Sequence, residues 1–165
     1  PPKAMLKAFE MIGQNDPEVT HHIFASGNGV NDVVKACKSG CRVIRFYGKV
    51  DKVLADQYYD SANIQIILAN KDNNIVSSKI FESVASGYPI IYFYFSESDR
   101  SFKLLKNYPL VYFVRQDKID EQECERIRKW MYQNKDKRID FDFVRKTFAD
   151  ATPDYVVDSV LGSIG

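Results

Sequence analysis

"LANKDNNIVSSKIFESVASGYPIIYFYF", residues 68–95, joins two strongly apolar runs through a polar loop and a short helix. The loop passes from Asn70 through Lys71, Asp72, Asn73, Asn74, Ile75 and Val76 to Ser77 and Ser78. Loops of more than about six residues within α/β units are often functional. In the helix, Ile80, Phe81, Val84 and Ala85 make one side, and Lys79, Glu82, Ser83 and Ser86 the other. Gly87 ends it, with Pro89 shortly after. Ser77 or Ser78 suits the helix start, but Glu82 lies too far in to complete a capping box with either. Capping therefore does not account for its carboxylate.

Outward from this strand–helix–strand unit the same alternation recurs. "HHIFAS", "RVIRFYG", "NIQIILA", "PIIYFYF" and "LVYFVR" are short runs rich in Ile, Val, Phe and Tyr, several of them apolar at consecutive positions. Strands covered on both faces read this way, so they are expected to be parallel and buried. Between them lie helical patterns, "VNDVVKACKSG", "VDKVLADQYYDSA", "SSKIFESVASG" and "ESDRSFKLLKNY", then the longer "DEQECERIRKWMYQN". Strand starts recur about every 20–25 residues, the length of a βα unit. The expected fold class is α/β, an open parallel sheet with helices on both faces.

The 165 residues favour one domain with a sizeable core. In "KAMLKAFEMIG", Met5, Leu6, Phe9 and Ile12 share a helical face, so a helix precedes the first strand, and Pro1 and Pro2 suit its start. A doubly wound sheet normally places a strand before that helix, which implies a piece of a longer protein. "DFDFVRKTFAD" and "TPDYVVDSVLGSIG" read as two closing helices.

Charge is nearly balanced, 23 Lys plus Arg against 22 Asp plus Glu, and basic residues are interleaved with acidic ones. That argues against nucleic acid as a partner. "ERIRKW" and "NKDKR" read as solvated helix faces. The three cysteines, Cys37, Cys41 and Cys124, fit neither a disulfide framework nor a zinc site, and free thiols suggest a reducing, cytoplasmic setting. No apolar run approaches the roughly 20 residues of a membrane-spanning helix. Any contact with a membrane surface would fall to an absent domain.

In open α/β sheets, ligands bind outside the carboxyl ends of the strands. "SGNGVND" has Asp32 where a dinucleotide fingerprint needs its third Gly, so it reads as a turn. "FYGKVD" places Gly48 after a strand and Val50 at the mouth of a helix, where backbone could approach a flat ligand. The 70–78 loop and its helix offer most. From spacing alone, Lys79 and Glu82 could simply form a solvent-facing pair worth a few tenths of a kcal/mol. The alternative is a nucleoside diphosphate. Unpaired N–H groups, two hydroxyls and an ammonium at a helix start suit a pyrophosphate, and a carboxylate about one turn deeper can accept hydrogen bonds from both hydroxyls of a ribose.

The stretch "FYGKVDKVLADQYYDSANIQIILANKDNNIVSSKIFESVASGYPII" resembles the donor-binding, C-terminal half of retaining GT-B glycosyltransferases. The features that carry the resemblance are the turn at Gly48, Ala62-Asn63 before a strand, Lys79-x-x-Glu82, and Ser86-Gly87-Tyr88-Pro89 closing on an apolar strand. It implies a Rossmann-like domain, one half of a GT-B fold, covering residues 1–165 as an excised part of a two-domain, hexosyltransferase-like enzyme. Glu82 would hold the donor's ribose. Ser77, Ser78 and Lys79 would lie near the diphosphate, Asn74 and Ile75 along the sugar, and Gly48 and Val50 against the base. Many retaining members carry a Glu where Asn74 stands, and an amide cannot supply negative charge beside an oxocarbenium-like centre, so the catalytic residue is left open. The resemblance also implies a nucleotide-diphosphate sugar as substrate with no cofactor or metal, and an acceptor site on a missing N-terminal domain. The isolated chain is then expected to be inactive.

The alternative is a non-catalytic nucleotide- or ligand-sensing α/β module, which Asn74 permits. A receiver-like domain would need an Asp ending its middle strand and an acidic pair after the first, and "LANKD" and "FASGNG" supply neither. His21 and His22 read as a surface turn. Tyr92, Phe93, Tyr94 and Phe95 read as core residues, not as a sugar platform.

Overall fold

A computed structural model describes residues 2–27, 29–70, 72 and 75–148. Asn74, Lys71, Asn73 and the helix expected over "TPDYVVDSVLGSIG" lie outside the described residues. In chain order the elements are α1 (Lys3–Asn15), β1 (His21–Phe24), α2 (Val30–Lys38), β2 (Ile44–Gly48), α3 (Lys52–Ser61) and β3 (Gln65–Leu68). Then follow α4 (Ser78–Ala85), β4 (Ile90–Tyr94), α5 (Arg100–Leu105), β5 (Val111–Arg115), α6 (Glu121–Asn134) and α7 (Phe141–Phe148). The class is α/β, and every strand pair is parallel. The strands form two small sheets, ordered β1-β2 and β3-β4-β5, within two compact units.

The first unit comprises Pro1–Ala62 with Gln116–Tyr132. Its α1 buries Met5, Leu6, Ala8, Phe9 and Ile12, the helical face that the sequence spacing marks. The strands are paired His21 to Ile44, His22 to Arg45 and Ile23 to Phe46, with a shift before Phe24 meets Gly48. His21 and Ile23 therefore share a face, and the His21 ring lies 4.3 Å from that of Phe9. The opposite face carries His22, Phe24 and Tyr47 beneath Tyr58 of α3, whose ring lies 5.1–5.2 Å from each of them. The histidines expected in a surface turn thus open a strand, because the outward–inward period of two puts one in the core and one on an aromatic surface. The basic residues of "ERIRKW" sit in ion pairs. Arg126 pairs with Glu123, Lys129 with Glu125, and Arg128 with Glu125 at 2.8 Å and Asp16 at 3.5 Å. Half-exposed pairs of this kind contribute at most about 1 kcal/mol each.

The second unit comprises Asn63–Arg115 with Gln133–Gly165. All five residues of β4 are buried, so both faces of this sheet are covered, which explains the uninterrupted apolar run in the sequence. One face, with Ile67, Ile90, Tyr92 and Tyr94, packs with Ile80 and Val84 of α4, Phe102 and Leu105 of α5, and Val144 and Phe148 of α7. Each such side chain contributes about 1.5–3 kcal/mol on burial. The Tyr92 hydroxyl donates to Asp99 Oδ2 at 2.5 Å, while Asp99 Oδ1 accepts from Ser101 N–H and caps α5. Of the four aromatic residues expected in the core, Tyr92, Phe93 and Tyr94 are there, whereas Phe95 is 45% exposed just past the strand.

Candidate functional site at the start of helix α4

The geometry of α4 begins at the end of β3. Ala69 N–H continues the ladder by donating to Phe93 O at 2.8 Å. Asn70 then turns the chain, its Nδ2 donating to Ile75 O at 3.1 Å, and Ile75 N–H donates to Asp72 O at 3.3 Å. Ile75 stands 55% exposed on this loop, while Val76 packs against the core. Ser77 is extended, and its Oγ accepts from Lys79 N–H at 3.3 Å, so Ser77 rather than Ser78 is the cap. Ile80 N–H donates to Ser77 O at 3.0 Å.

The helix is pinned from its apolar side. Ile80 and Val84 enter the core, and Ser83 Oγ donates to Gln65 Oε1 at 3.2 Å. Ser83 is buried, although its place in the sequence groups it with Glu82 and Lys79. A small hydroxyl at the margin of the apolar stripe, next to a buried amide, can go inside once paired. At the far end Gly87 has φ +73°, the left-handed conformation of a helix stop. Its N–H donates to Val84 O at 3.2 Å, and its carbonyl accepts from Ile139 N–H at 2.9 Å. A Cβ at Gly87 would collide with the Ile139 carbonyl. Tyr88 is held by the Tyr108 hydroxyl, which donates to its carbonyl at 2.7 Å, and by the Arg138 guanidinium 3.8 Å above its ring.

What remains outside is polar and unused. Ser78, Lys79 and Glu82 are exposed, and among the described residues no hydrogen bond or ion pair engages the Ser78 hydroxyl, the Lys79 ammonium or the Glu82 carboxylate. The Lys79–Glu82 pair that the spacing allows is not formed. At the helix start the N–H groups of Lys79 and Ile80 already have acceptors, and among the described residues none accepts from that of Ser78. The arrangement can therefore offer an anion one backbone donor, one hydroxyl and an ammonium, and can offer a diol one carboxylate.

Gly48 and Val50 belong to the first unit. Gly48 ends β2 with φ +71°, and its carbonyl accepts from Ala25 N–H at 3.0 Å, so the turn itself requires glycine. Val50 is half-buried before Asp51, whose carboxylate caps α3 by accepting from Leu54 N–H at 2.8 Å. A feature absent from the sequence reading is the aromatic set of His22, Phe24, Tyr47 and Tyr58, in which His22 Nδ1 lies 2.9 Å from the Tyr47 hydroxyl. The residues at alternate positions, His22 with Phe24 and Arg45 with Tyr47, were its signal. Burial and the nearby Arg45 push the His22 imidazole below its ordinary pKa.

Among the described residues, no group of three or more His, Cys, Asp or Glu side chains is placed to hold a metal ion, and no helix is long and apolar enough to cross a membrane. No family model matches the chain, and no curated protein matches it in sequence.

Proposed function

We propose that the chain is the donor-binding domain of a retaining-type GT-B glycosyltransferase, Rossmann-like as the resemblance implies. The observation that carries this reading is the uncommitted Glu82 carboxylate on the solvent side of a helix opened by Ser77, Ser78 and Lys79, after a long loop at the carboxyl end of a parallel strand. The resemblance of Lys79-x-x-Glu82 and Ser86-Gly87-Tyr88-Pro89 to that family supports it. In this role Glu82 accepts hydrogen bonds from the ribose hydroxyls. Ser78 and Lys79 meet the diphosphate, where charge develops as the bond from the sugar's anomeric carbon to the leaving oxygen breaks. The acceptor hydroxyl attacks from a second domain, so this chain alone binds donor without transferring sugar.

Asn74 supports a second reading, a non-catalytic nucleotide- or ligand-sensing module, since an amide at that position supplies no charge to a cationic centre. The transferase and a nucleotide sensor both need nucleotide binding. The test is a calorimetric and thermal-shift panel of UDP, GDP, ADP and CDP against the chain and its Glu82→Gln variant. A nucleotide at about 100 times its dissociation constant stabilises by about 2.7 kcal/mol, a rise of roughly 5–11 °C at about 2–4 °C per kcal/mol. Glu82→Gln should weaken binding by about 1.5–3 kcal/mol, the range for hydrogen bonds to a charged group, and leave the unliganded melting point unchanged. No binding of any nucleotide, or equal affinity in the variant, rejects the assignment of Glu82.

A further inference from the structure

We propose that Glu97 is a second acidic contact for the donor, accepting hydrogen bonds from the hydroxyls of a neutral hexose, a role that rests on the nucleotide-sugar reading of the α4 site. Its placement follows from β3 and β4, adjacent parallel strands of the second unit, in register from Gln65 with Ile90 to Leu68 with Phe93. Ala69 N–H carries the ladder one step further, to Phe93 O. The loops to α4 and α5 therefore leave the sheet side by side at its carboxyl end, where open α/β sheets bind ligands. Both helices return along one face, where Ile80 and Val84 of α4 and Phe102 and Leu105 of α5 share a core with Tyr92 and Tyr94. Neighbouring helices pack about 8–10 Å apart. The turn that opens α5 thus stands about that far from Ser78 and Lys79, within reach of a sugar bonded to a phosphate held there.

That turn is fixed by its own hydrogen bonds. Asp99 N–H donates to Ser96 O at 3.2 Å, which places Glu97 and Ser98 at the two corners. Ser96 Oγ accepts from Ser98 N–H at 3.2 Å and lies 2.8 Å from Ser98 Oγ. The buried Asp99 anchors the turn from below, through the Tyr92 hydroxyl at Oδ2 and Ser101 N–H at Oδ1. A backbone already held in this way loses little freedom when the residue it presents meets a ligand.

Elimination singles out Glu97 among the acidic residues of these two loops, which are Asp72, Glu97 and Asp99. Asp72 is already engaged, and Asp99 is buried and committed to Tyr92 and to the cap of α5. Glu97 is exposed, and no described residue bonds or pairs with its carboxylate; Arg100, three residues on, forms no ion pair with it. An ionised carboxylate only accepts hydrogen bonds. It therefore matches the hydroxyls of a neutral sugar and repels an acidic one, and it offers the donor a charge that the amide of Asn74 lacks.

The test is calorimetry on the full chain with UDP, GDP, ADP and CDP and with the glucose conjugate of each, for the parent, Glu97→Gln and Glu82→Gln. The expected result is that the glucose conjugate binds about tenfold or more tightly than its nucleotide, the scale of a hydrogen bond to a charged group. Glu97→Gln should bring that ratio toward one and leave the affinity of the nucleotide itself and the melting temperature unchanged. Glu82→Gln should weaken nucleotide and conjugate alike and keep the ratio, which separates the two carboxylates. The glucuronate conjugate of the nucleotide that binds should bind the parent more weakly than the glucose conjugate, and Glu97→Gln should narrow the gap. An unchanged ratio of conjugate to nucleotide affinity in Glu97→Gln overturns the role of Glu97 and leaves the α4 site standing. A chain that binds none of the nucleotides overturns both.

Discussion

Gly87→Ala should destabilise the second unit by more than the ordinary cost of a left-handed residue, and a matched control isolates the excess. At Gly87 the backbone has φ +73° and the added Cβ would strike the Ile139 carbonyl. At Gly40 φ is +89°, but no atom of the described residues lies within 4 Å of the Cβ position. Both substitutions incur the left-handed penalty, about 1–2 kcal/mol. Only Gly87→Ala must also push the 138–140 backbone away, forfeiting the 2.9 Å bond from Ile139 N–H to Gly87 O, a net loss of about 0.5–1.5 kcal/mol before any repacking of α7. The expectation is therefore about 1–2 kcal/mol for Gly40→Ala and about 1.5–3.5 kcal/mol for Gly87→Ala. Urea denaturation followed by far-ultraviolet circular dichroism measures both, with the slope of each transition checked for constancy. Equal costs in the two variants would refute the reasoning, since they would mean that the segment at Ile139 does not bear on the end of α4.

Three further outcomes follow from buried polar groups. Tyr92→Phe removes the donor to Oδ2 of the buried Asp99 carboxylate and should cost about 1.5–3 kcal/mol in the same urea titration; an unchanged midpoint would show that Oδ2 is satisfied without it. His21 is held down to about pKa 3, chiefly by burial and secondarily by His22, so below 6.5 the unfolded chain takes up a proton that the folded chain refuses, and stability falls by up to about 1.4 kcal/mol per pH unit from about pH 6.5 toward 3. His21→Phe should flatten that slope and, because His21 Nδ1 has no partner among the described residues, cost little at pH 7; identical pH slopes for variant and parent would reject this origin. Ser83→Ala should lower stability by about 1–2 kcal/mol by leaving Gln65 Oε1 without that donor, with nucleotide affinity unaffected; a loss of affinity with stability intact would put Ser83 on the binding side of the helix.

The parts of the fold that show in the sequence are those governed by local period and punctuation. Ile90–Tyr94 is apolar at every position because both its faces are covered, and Met5, Leu6, Phe9 and Ile12 fall on one side of α1 because that side alone is buried. Gly87 and Pro89 mark the end of α4 through backbone geometry that few other residues allow. Period fails where a side chain's fate depends on a partner distant in sequence. His21 enters the core against Phe9, while His22 stays outside in contact with Tyr47 and Tyr58, and nothing in "HHIFAS" alone distinguishes the two. Ser83 goes inside only because Gln65, on the preceding strand, offers an amide oxygen at 3.2 Å.

The same distinction bears on the candidate site. Burial of Ile80, Val84 and Ser83, the Ser77 cap and the Gly87 stop account for why α4 exists and where it lies, and none of them involves the Glu82 carboxylate or the ammonium of Lys79. A helix of this length is marginal by propensity and is held by packing, so its exposed side is under little structural constraint. Solvent-facing residues unneeded by the fold can be changed at a cost usually within about 0.5 kcal/mol. That is why Glu82 is the informative position. Because its carboxylate contributes so little to the folded state, any affinity lost on replacing it reports on what binds there, whereas Ser83, one residue further on, would confuse binding with stability.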